Sequence, residues 1–340
     1  MKKRKKVTIQ DIADDVGVSK SLVSLALSDK YGVSESTRSK IVLRAIEMGY
    51  KIPSKKTNNI LFNVIISDIQ IMRESFWSKI MTGIEKSMTN YKISINITIW
   101  NKQADAMEFV NQTLKNKPSG AIVISEFDHE IMEITKQLNV PIVLIDIRHP
   151  IGMVYDHVCA NNFEGAFEGA KYLHNKGHHH IGFVGYEEYS HSFTERHLGV
   201  KRYASIHSDV KLTNITSIYK SKHDVFNPDE LIKVLQEKDR PTALFCANDP
   251  IAIDVYGVVE SLGLSIPQDI SILGFDNIQT AEYLYPTLTS INIPKETIGE
   301  EAVRLLMQRM KNPNLVIKKL QLATSIIERN SVEDLTKNHI

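Results

Sequence analysis

The sequence predicts a small all-α helix-turn-helix head followed by an α/β body of doubly wound parallel sheets. Three observations lead there. Three short capped helical stretches fill residues 8–49, apolar runs alternate with amphipathic stretches from Ile60 onward, and positive charge gathers at the N-terminal end. At 340 residues the chain exceeds one ordinary domain of roughly 100–200 residues, so two or three are expected. With 42% hydrophobic and 24% charged residues it has the material for a buried core, which argues against disorder. Residues 1–56 carry 13 Lys/Arg against 6 Asp/Glu, a net of +7, so the remainder carries −6. A basic head on a mildly acidic body suits phosphate attraction at one end, although a solvated basic tail gives the same charge.

In the head, Thr8 caps a first helix with Asp11 placed to return the capping bond, and Ile9, Ile12, Ala13 and Val16 share one face. Gly17 stops it. Ser19 caps a second helix with Val23, Ala26 and Leu27 inward, and the tight Gly-Val-Ser turn forces the two helices to cross steeply. Ser34 caps a third helix, with Ile41, Ala45, Ile46 and Met48 inward and Gly49 at its end.

Val7-Thr8-Ile9-Gln10-Asp11-Ile12-Ala13, Gly17-Val18-Ser19, Val23-Ser24, Val33-Ser34 and Gly49-Tyr50 resemble the DNA-binding head of the lactose-repressor/galactose-repressor family. The resemblance implies that the second helix enters the major groove. Lys20, Ser21, Ser24 and Leu25 are then the candidate base contacts, with Ser19 and Leu22 beside the backbone; Thr8, Ser34 and Lys51 complete the DNA-contacting set. The family usually has Thr at Leu22 and Arg at Leu25. Arg pairs bidentately with guanine, whereas Leu packs on thymine methyls or within the head itself, so an altered operator half-site is expected. Residues 51–59, with Pro53, Ser54 and paired lysines, read as an exposed connector too short for the minor-groove helix common in the family. Bending of DNA should be weaker for it.

The body's strand candidates are 61–67, 94–100, 121–124, 142–145, 181–184, 243–246 and 271–275; its helical candidates are 77–88, 104–114, 164–174, 228–235, 251–262 and 295–310. Cys159 and Cys246 fall in apolar strand-like runs and read as reduced core thiols. The resemblance continues through Gly165 to His180, ending in a Gly-His-x-x-Ile turn, then Ala247-Asn248-Asp249, residues 262–276, Pro286-Thr287-Leu288-Thr289 and Glu328-Arg329-Asn330-Ser331. It implies a body resembling a periplasmic binding protein, two lobes joined by three crossings with a ligand between them. The expected boundaries are 1–57 for head and linker, 58–160 with 290–322 for lobe one, and 161–289 with 323–340 for lobe two.

By the same resemblance Phe76, Trp77, Asp146, Asn161, Ser190, Ser192, Arg196, Phe226, Asn248 and Asp276 face the cleft. Carboxylates and amides for paired hydroxyls, an Arg for oxygen acceptors and an aromatic face for C–H groups are what a sugar requires. Helix capping by Asp276 or Asn248 and core packing of Phe76 and Trp77 remain alternatives. Asn161 stands where the family often has Asp. Ile147 and Ser190 stand where purine-binding relatives carry an aromatic and an Arg, which makes a purine effector unexpected. A neutral sugar is the leading class, with a sugar phosphate open through Arg148, His149 and Arg196.

The His178-His179-His180 run has no neighbouring carboxylate or cysteine at ligand spacing, and no metal or cofactor is expected from it. Phosphate loops, nucleophile elbows and His-Glu-x-x-His helices are absent, so no enzyme activity is read. Neither a signal-peptide pattern nor an apolar run of roughly 20 residues occurs, and the expected location is the cytoplasm. The expectation is a homodimeric, sequence-specific transcription regulator, a repressor, that binds a double-stranded DNA operator under control of a small molecule. The alternatives are control by a protein partner, or a sugar-binding protein with no regulatory role.

Overall fold

The computed structural model describes residues 7–28, 32–50, 60–67, 75–100, 106–124, 138–147, 155–186, 190–218 and 226–339. Lys51, Arg148, His149 and the connector 51–59 lie outside them. Residues 1–59 and 60–340 form two separate units.

The head holds α1 (Ile9–Val16), α2 (Lys20–Leu27) and α3 (Glu35–Glu47). Thr8 Oγ1 accepts from Asp11 N–H at 3.3 Å while Asp11 Oδ2 accepts from Thr8 N–H at 2.7 Å, the reciprocal capping box read from sequence. Gly17 ends α1 at φ 75°, a left-handed turn that costs glycine nothing. Ser19 and Ser34 accept from Leu22 N–H and Thr37 N–H, so both following helices start on side-chain caps. Ile12, Ala13, Val23, Ala26, Ile41 and Ala45 form the small core. Ile46 is a correction: it is 60% exposed, because one residue past buried Ala45 it has turned about 100° to the outer face. Arg44 holds Asp15 through two hydrogen bonds of 2.5 and 2.9 Å, tying α3 to α1.

The first lobe's sheet runs β11-β5-β4-β3-β1-β2, all parallel: β1 (Ile60–Ser67), β2 (Ile93–Trp100), β3 (Gly120–Ile124), β4 (Ile142–Ile145), β5 (Asp156–Ala160) and β11 (Lys319–Leu322). Side chains alternate through it. Phe62, Val64 and Ile66 join the face packed by α4 (Ser75–Tyr91) and α10 (Lys295–Lys311), while Ile65 joins Phe109 and Val110 of α5 (Ala106–Lys115) on the other. Helices α4 and α10 meet backbone to backbone: a Cβ on Gly83 would stand 1.9 Å from the Glu296 carbonyl oxygen, and one on Gly299 2.2 Å from that of Ile80.

The second sheet runs β12-β10-β9-β8-β6-β7, from β6 (His180–Val184), β7 (Lys211–Ile215), β8 (Ala243–Cys246), β9 (Ser271–Asp276), β10 (Thr289–Asn292) and β12 (Ser325–Ile327). Only the β10–β12 pair is antiparallel. Its helices are α6 (Asn162–Asn175), α7 (His191–Ile206), α8 (Asp229–Gln236) and α9 (Asp249–Ser261). The chain passes between the sheets three times, after β5, after β10 and between β11 and β12. Because β10 pairs with β9, residues 290–292 lie in the second sheet, three residues past the boundary read at 289/290. In both lobes the strand order reverses beside the first strand, so loops at the strands' carboxyl ends open a crevice there. Cys159 and Cys246 are free and buried, and burial pushes both thiols up.

Candidate functional site

The carboxyl ends of β4, β8 and β9 deliver Asp146, Asn248 and Asp276. Asp146 and Asp276 sit at φ 52° and 102°, in the left-handed half of backbone space where a non-glycine residue is held only by its surroundings. Arg196, on α7 and 2% exposed, is what Asp276 meets: Nη2 donates to Asp276 Oδ1 at 2.9 Å. Its other donors reach Asn162 Oδ1 at 2.9 Å and the Ala247 carbonyl at 2.7 Å, and its guanidinium carbon Cζ lies 3.9 Å from the Phe275 ring centroid. Three segments, α6, the end of β8 and β9, therefore converge on one guanidinium.

Ser192, one turn before Arg196 on α7, donates to Asp146 Oδ1 at 2.7 Å. Burial raises the Asp146 carboxyl to about 6, against the pull of Arg196 and the Ser192 hydrogen bond. Burial also raises Asp276, opposed by Arg196 and Lys295. Among the described residues, one side-chain donor reaches each of these two carboxylates and only its Oδ1.

The sequence reading missed three members of the cluster. Asn162 orients Arg196. Asp249, fully buried, accepts from Ser290 Oγ at 2.7 Å and Ile278 N–H at 2.8 Å; burial, with Asp276 nearby, raises it to about 7. Gly274 makes room for it, since a Cβ there would stand 2.2 Å from Asp249 Oδ1. Lys295 donates to the Asp276 carbonyl and, at 3.3 Å, to that of Asn277, and burial lowers its pKa. A signal existed for Lys295: a cation in the first turn of α10 opposes the helix dipole, so it needs another reason to be there.

The remaining predicted residues are dispersed among other tasks. Asn161, Ser190 and Asn248 accept from Glu164, Phe193 and Ile251 N–H as N-caps of α6, α7 and α9. Trp77 is buried in the core, whereas Phe76 is half-buried with Lys295 Nζ 5.8 Å from its ring, so the aromatic beside the cluster is Phe76. Phe226 is half-buried against the core of lobe two. Ile147 is buried in the second apolar cluster of lobe one. Adjoining the cluster through Lys295 is a cavity of about 470 Å³ lined by Lys79, Asn277 to Gln279, Glu282 and residues 292–297. None of the ten predicted effector residues lines it.

On the head, Lys20, Ser21 and Ser24 of α2 are exposed, as are Thr8, Ser19 and Ser34, while Leu22 and Leu25 are half-buried. Spacings of one and four residues put the three exposed α2 side chains on one side of the helix.

Known proteins share this organisation. Residues 8–53 match the profile of bacterial regulatory proteins of the lacI family, and residues 170–332 match that of a periplasmic binding protein-like domain. The chain is 29% identical to the HTH-type transcriptional repressor PurR of Vibrio vulnificus, over 96% of this chain and 99% of that one. Its fold is similar to a lac repressor dimer bound to operator and the anti-inducer ONPF, with a TM-score of 0.75 at 22% identity over 97% of this chain and all of that one. A lacI-family regulator from Enterococcus faecium with bound ribose gives 0.64 at 24% identity, over 81% of this chain and 99% of that one. Among the described residues no helix is long and apolar enough to cross a membrane. With a capped helix-turn-helix unit ahead of two parallel α/β lobes, the chain belongs to the lacI family of bacterial regulatory proteins, DNA-binding transcription regulators and not enzymes, with a periplasmic-binding-protein-like body.

Proposed function

We propose that this chain is a cytoplasmic, homodimeric transcriptional repressor whose hold on a near-palindromic operator is set by a sugar or sugar derivative between its lobes. The observation that carries the ligand class is the pair of strand-end carboxylates, Asp146 and Asp276, each with one oxygen that no side-chain donor among the described residues reaches, beside an Arg196 held on three sides. Paired hydroxyls donate to carboxylates, a guanidinium donates to ring and hydroxyl oxygens, and Phe76 supplies an apolar face. Ile147 gives its side chain to the lobe core and Ser190 its oxygen to a helix cap, so neither supports stacking or cationic contact with a purine. Relatives in complex with cellobiose and ribose favour the same class.

DNA reading is assigned to Lys20, Ser21, Ser24 and Leu25, with Thr8, Ser19, Leu22, Ser34 and Lys51 alongside. Dimer action is supported by edge strand β2, where Ile97 and Ile99 are 55% and 53% exposed on one face; a second copy would cover an edge that single chains usually blunt. One head also buries too little DNA for tight specific binding.

The test is a thermal-shift screen of the full chain against mono- and disaccharides, sugar phosphates and purine bases. Hits are then titrated into a fluorescence-anisotropy assay on an operator selected from random DNA. A saccharide that raises Tm and changes operator affinity is expected. A purine base acting in its place, or no response to any small molecule, rejects the sugar reading.

A further inference from the structure

The end of the second sheet opposite the strands' carboxyl ends gathers a set of side chains that lie outside the cluster around Arg196. His174 stands in the last turn of α6, His179 just before β6 and Asp209 in the turn between α7 and β7. His174 Nε2 lies 2.9 Å and His179 Nδ1 3.3 Å from the same oxygen of Asp209, and the three ligand atoms fall within 4.8 Å of one another. We propose that His174, His179 and Asp209 bind a divalent transition metal of the zinc class.

The spacing suits such an ion. Bonds of about 2.0–2.1 Å in a tetrahedron put neighbouring ligand atoms roughly 3.3–3.4 Å apart, close to the 2.9 and 3.3 Å of the two imidazole–carboxylate pairs. Two imidazoles and one carboxylate select zinc and its neighbours over magnesium or calcium, which prefer all-oxygen sets.

The backing is in place as well. Tyr203, buried, lies with its hydroxyl 2.9 Å from His174 Nδ1 and fixes the ring. A hydroxyl both donates and accepts, so Tyr203 serves His174 with a proton on either nitrogen. When a metal replaces the proton at Nε2, Nδ1–H donates to the Tyr203 oxygen, the outer-shell arrangement usual for a histidine ligand. His179 and Asp209 are 58% and 56% exposed at their side chains, which leaves the ion a route in. Three protein ligands leave a fourth position for water, or for His207, whose ring is 5.5 Å from that of His174. The His178–His180 run lacked a carboxylate partner in the linear sequence because Asp209 lies 30 residues beyond His179.

The experiment uses the full chain without a histidine tag, titrated with Zn²⁺ against a chromophoric chelator and separately with Co²⁺. Expected are one Zn²⁺ per chain, visible Co²⁺ bands displaced by Zn²⁺, and a Zn²⁺-dependent rise in Tm. His179→Gln and Asp209→Asn, both on exposed side chains, should each weaken Zn²⁺ binding by at least about tenfold, the scale of losing even an outer-shell partner. Their metal-free Tm should match wild type. Zn²⁺ affinity in the His179→Gln/Asp209→Asn double variant equal to wild type, or less than one Zn²⁺ per chain, overturns the site. Neither readout depends on the effector, so its outcome stands apart from that of the sugar screen.

Discussion

Among the described residues each lobe buries one arginine against one aspartate, and the two pairs are built differently. In lobe one, Arg309 grips Asp156 with two parallel hydrogen bonds of 2.9 and 3.1 Å, and its remaining donors reach the carbonyls of Pro313, Leu315 and Val316. Asp156 also accepts from Lys318 N–H. In lobe two, Arg196 gives Asp276 one hydrogen bond, and Asp276 sits on strained backbone with its carboxyl raised by burial. A saturated pair holds chain together; a pair at a strand end with one carboxylate oxygen unreached among the described residues, held rigid by Asn162, Phe275 and Ala247, keeps acceptor capacity for something else. The same two residue types serve stability in one place and, in the function proposed, recognition in the other.

The largest effect expected is on the saturated pair. Arg309→Ala leaves Asp156 buried and unpaired, which costs roughly 3–5 kcal/mol. Urea unfolding should register the loss, with ligand affinity per folded molecule unchanged. A loss under about 1 kcal/mol, the range of an exposed pair, breaks the comparison.

Proton linkage comes next. Asp249 is raised from 3.8 to about 7, so its contribution to stability is complete below pH 3.8 and is lost as pH rises through about 7. Buried His178, held between Thr242 and the Glu333 carbonyl and lowered to about 4, has the opposite sign: its contribution is complete above pH 6.5 and is lost as pH falls through about 4. Asp249→Asn keeps the shape and removes one side of this opposition. The stability of the variant relative to wild type should rise by roughly 4 kcal/mol between pH 4 and 8. A constant difference across that range means that Asp249 stays ionised when folded.

Asp276→Ala removes the acceptor proposed for ligand hydroxyls, and a hydrogen bond to a charged group is worth roughly 1.5–3 kcal/mol, about tenfold or more in affinity. Calorimetry with the effector should show that loss, while operator affinity without ligand stays within about twofold, since coupling requires differential binding. Asp276→Asn keeps one acceptor oxygen and should fall between the two. Unchanged effector binding in both variants removes Asp276 from the site.

What was legible in the sequence follows how local each signal is. The Thr8–Asp11 capping box, the Gly17 stop and the seven strands read from the sequence depend on near neighbours or on unbroken apolar runs, and they stand where the pattern put them. The short β5 and β10, buried as they are, were not among those strands. Helix α7 went unread because its buried face carries Ser192, Arg196 and His197, which look like a solvated surface until their partners are known. Strand β7, at a sheet edge with one buried residue, has no apolar run to find. Asp276 and Arg196 were nameable through family resemblance, but Asp249 and Lys295 take their meaning from groups 29 and 19 residues away.

The smallest effect separates head from body in how a single side chain recognises. Lys20, Ser21 and Ser24 are exposed on α2, whereas Leu25 is half-buried, its carbonyl 3.5 Å from Arg38 Nη1. A leucine there offers DNA only an apolar surface, which fits the C5-methyl of thymine and nothing on guanine. Leu25→Ala should therefore cost roughly 1 kcal/mol at one base pair of the half-site, about fivefold, because only part of the side chain leaves water on binding. Leu25→Arg should move preference at that pair to guanine by roughly 1–3 kcal/mol through a bidentate contact. Sites selected from random DNA by wild type and both variants decide the matter: thymine, weakened thymine and guanine are the expected order. Guanine selected by wild type and lost in Leu25→Ala would instead mean that Leu25 acts by supporting the head, with another residue of α2 reading the base.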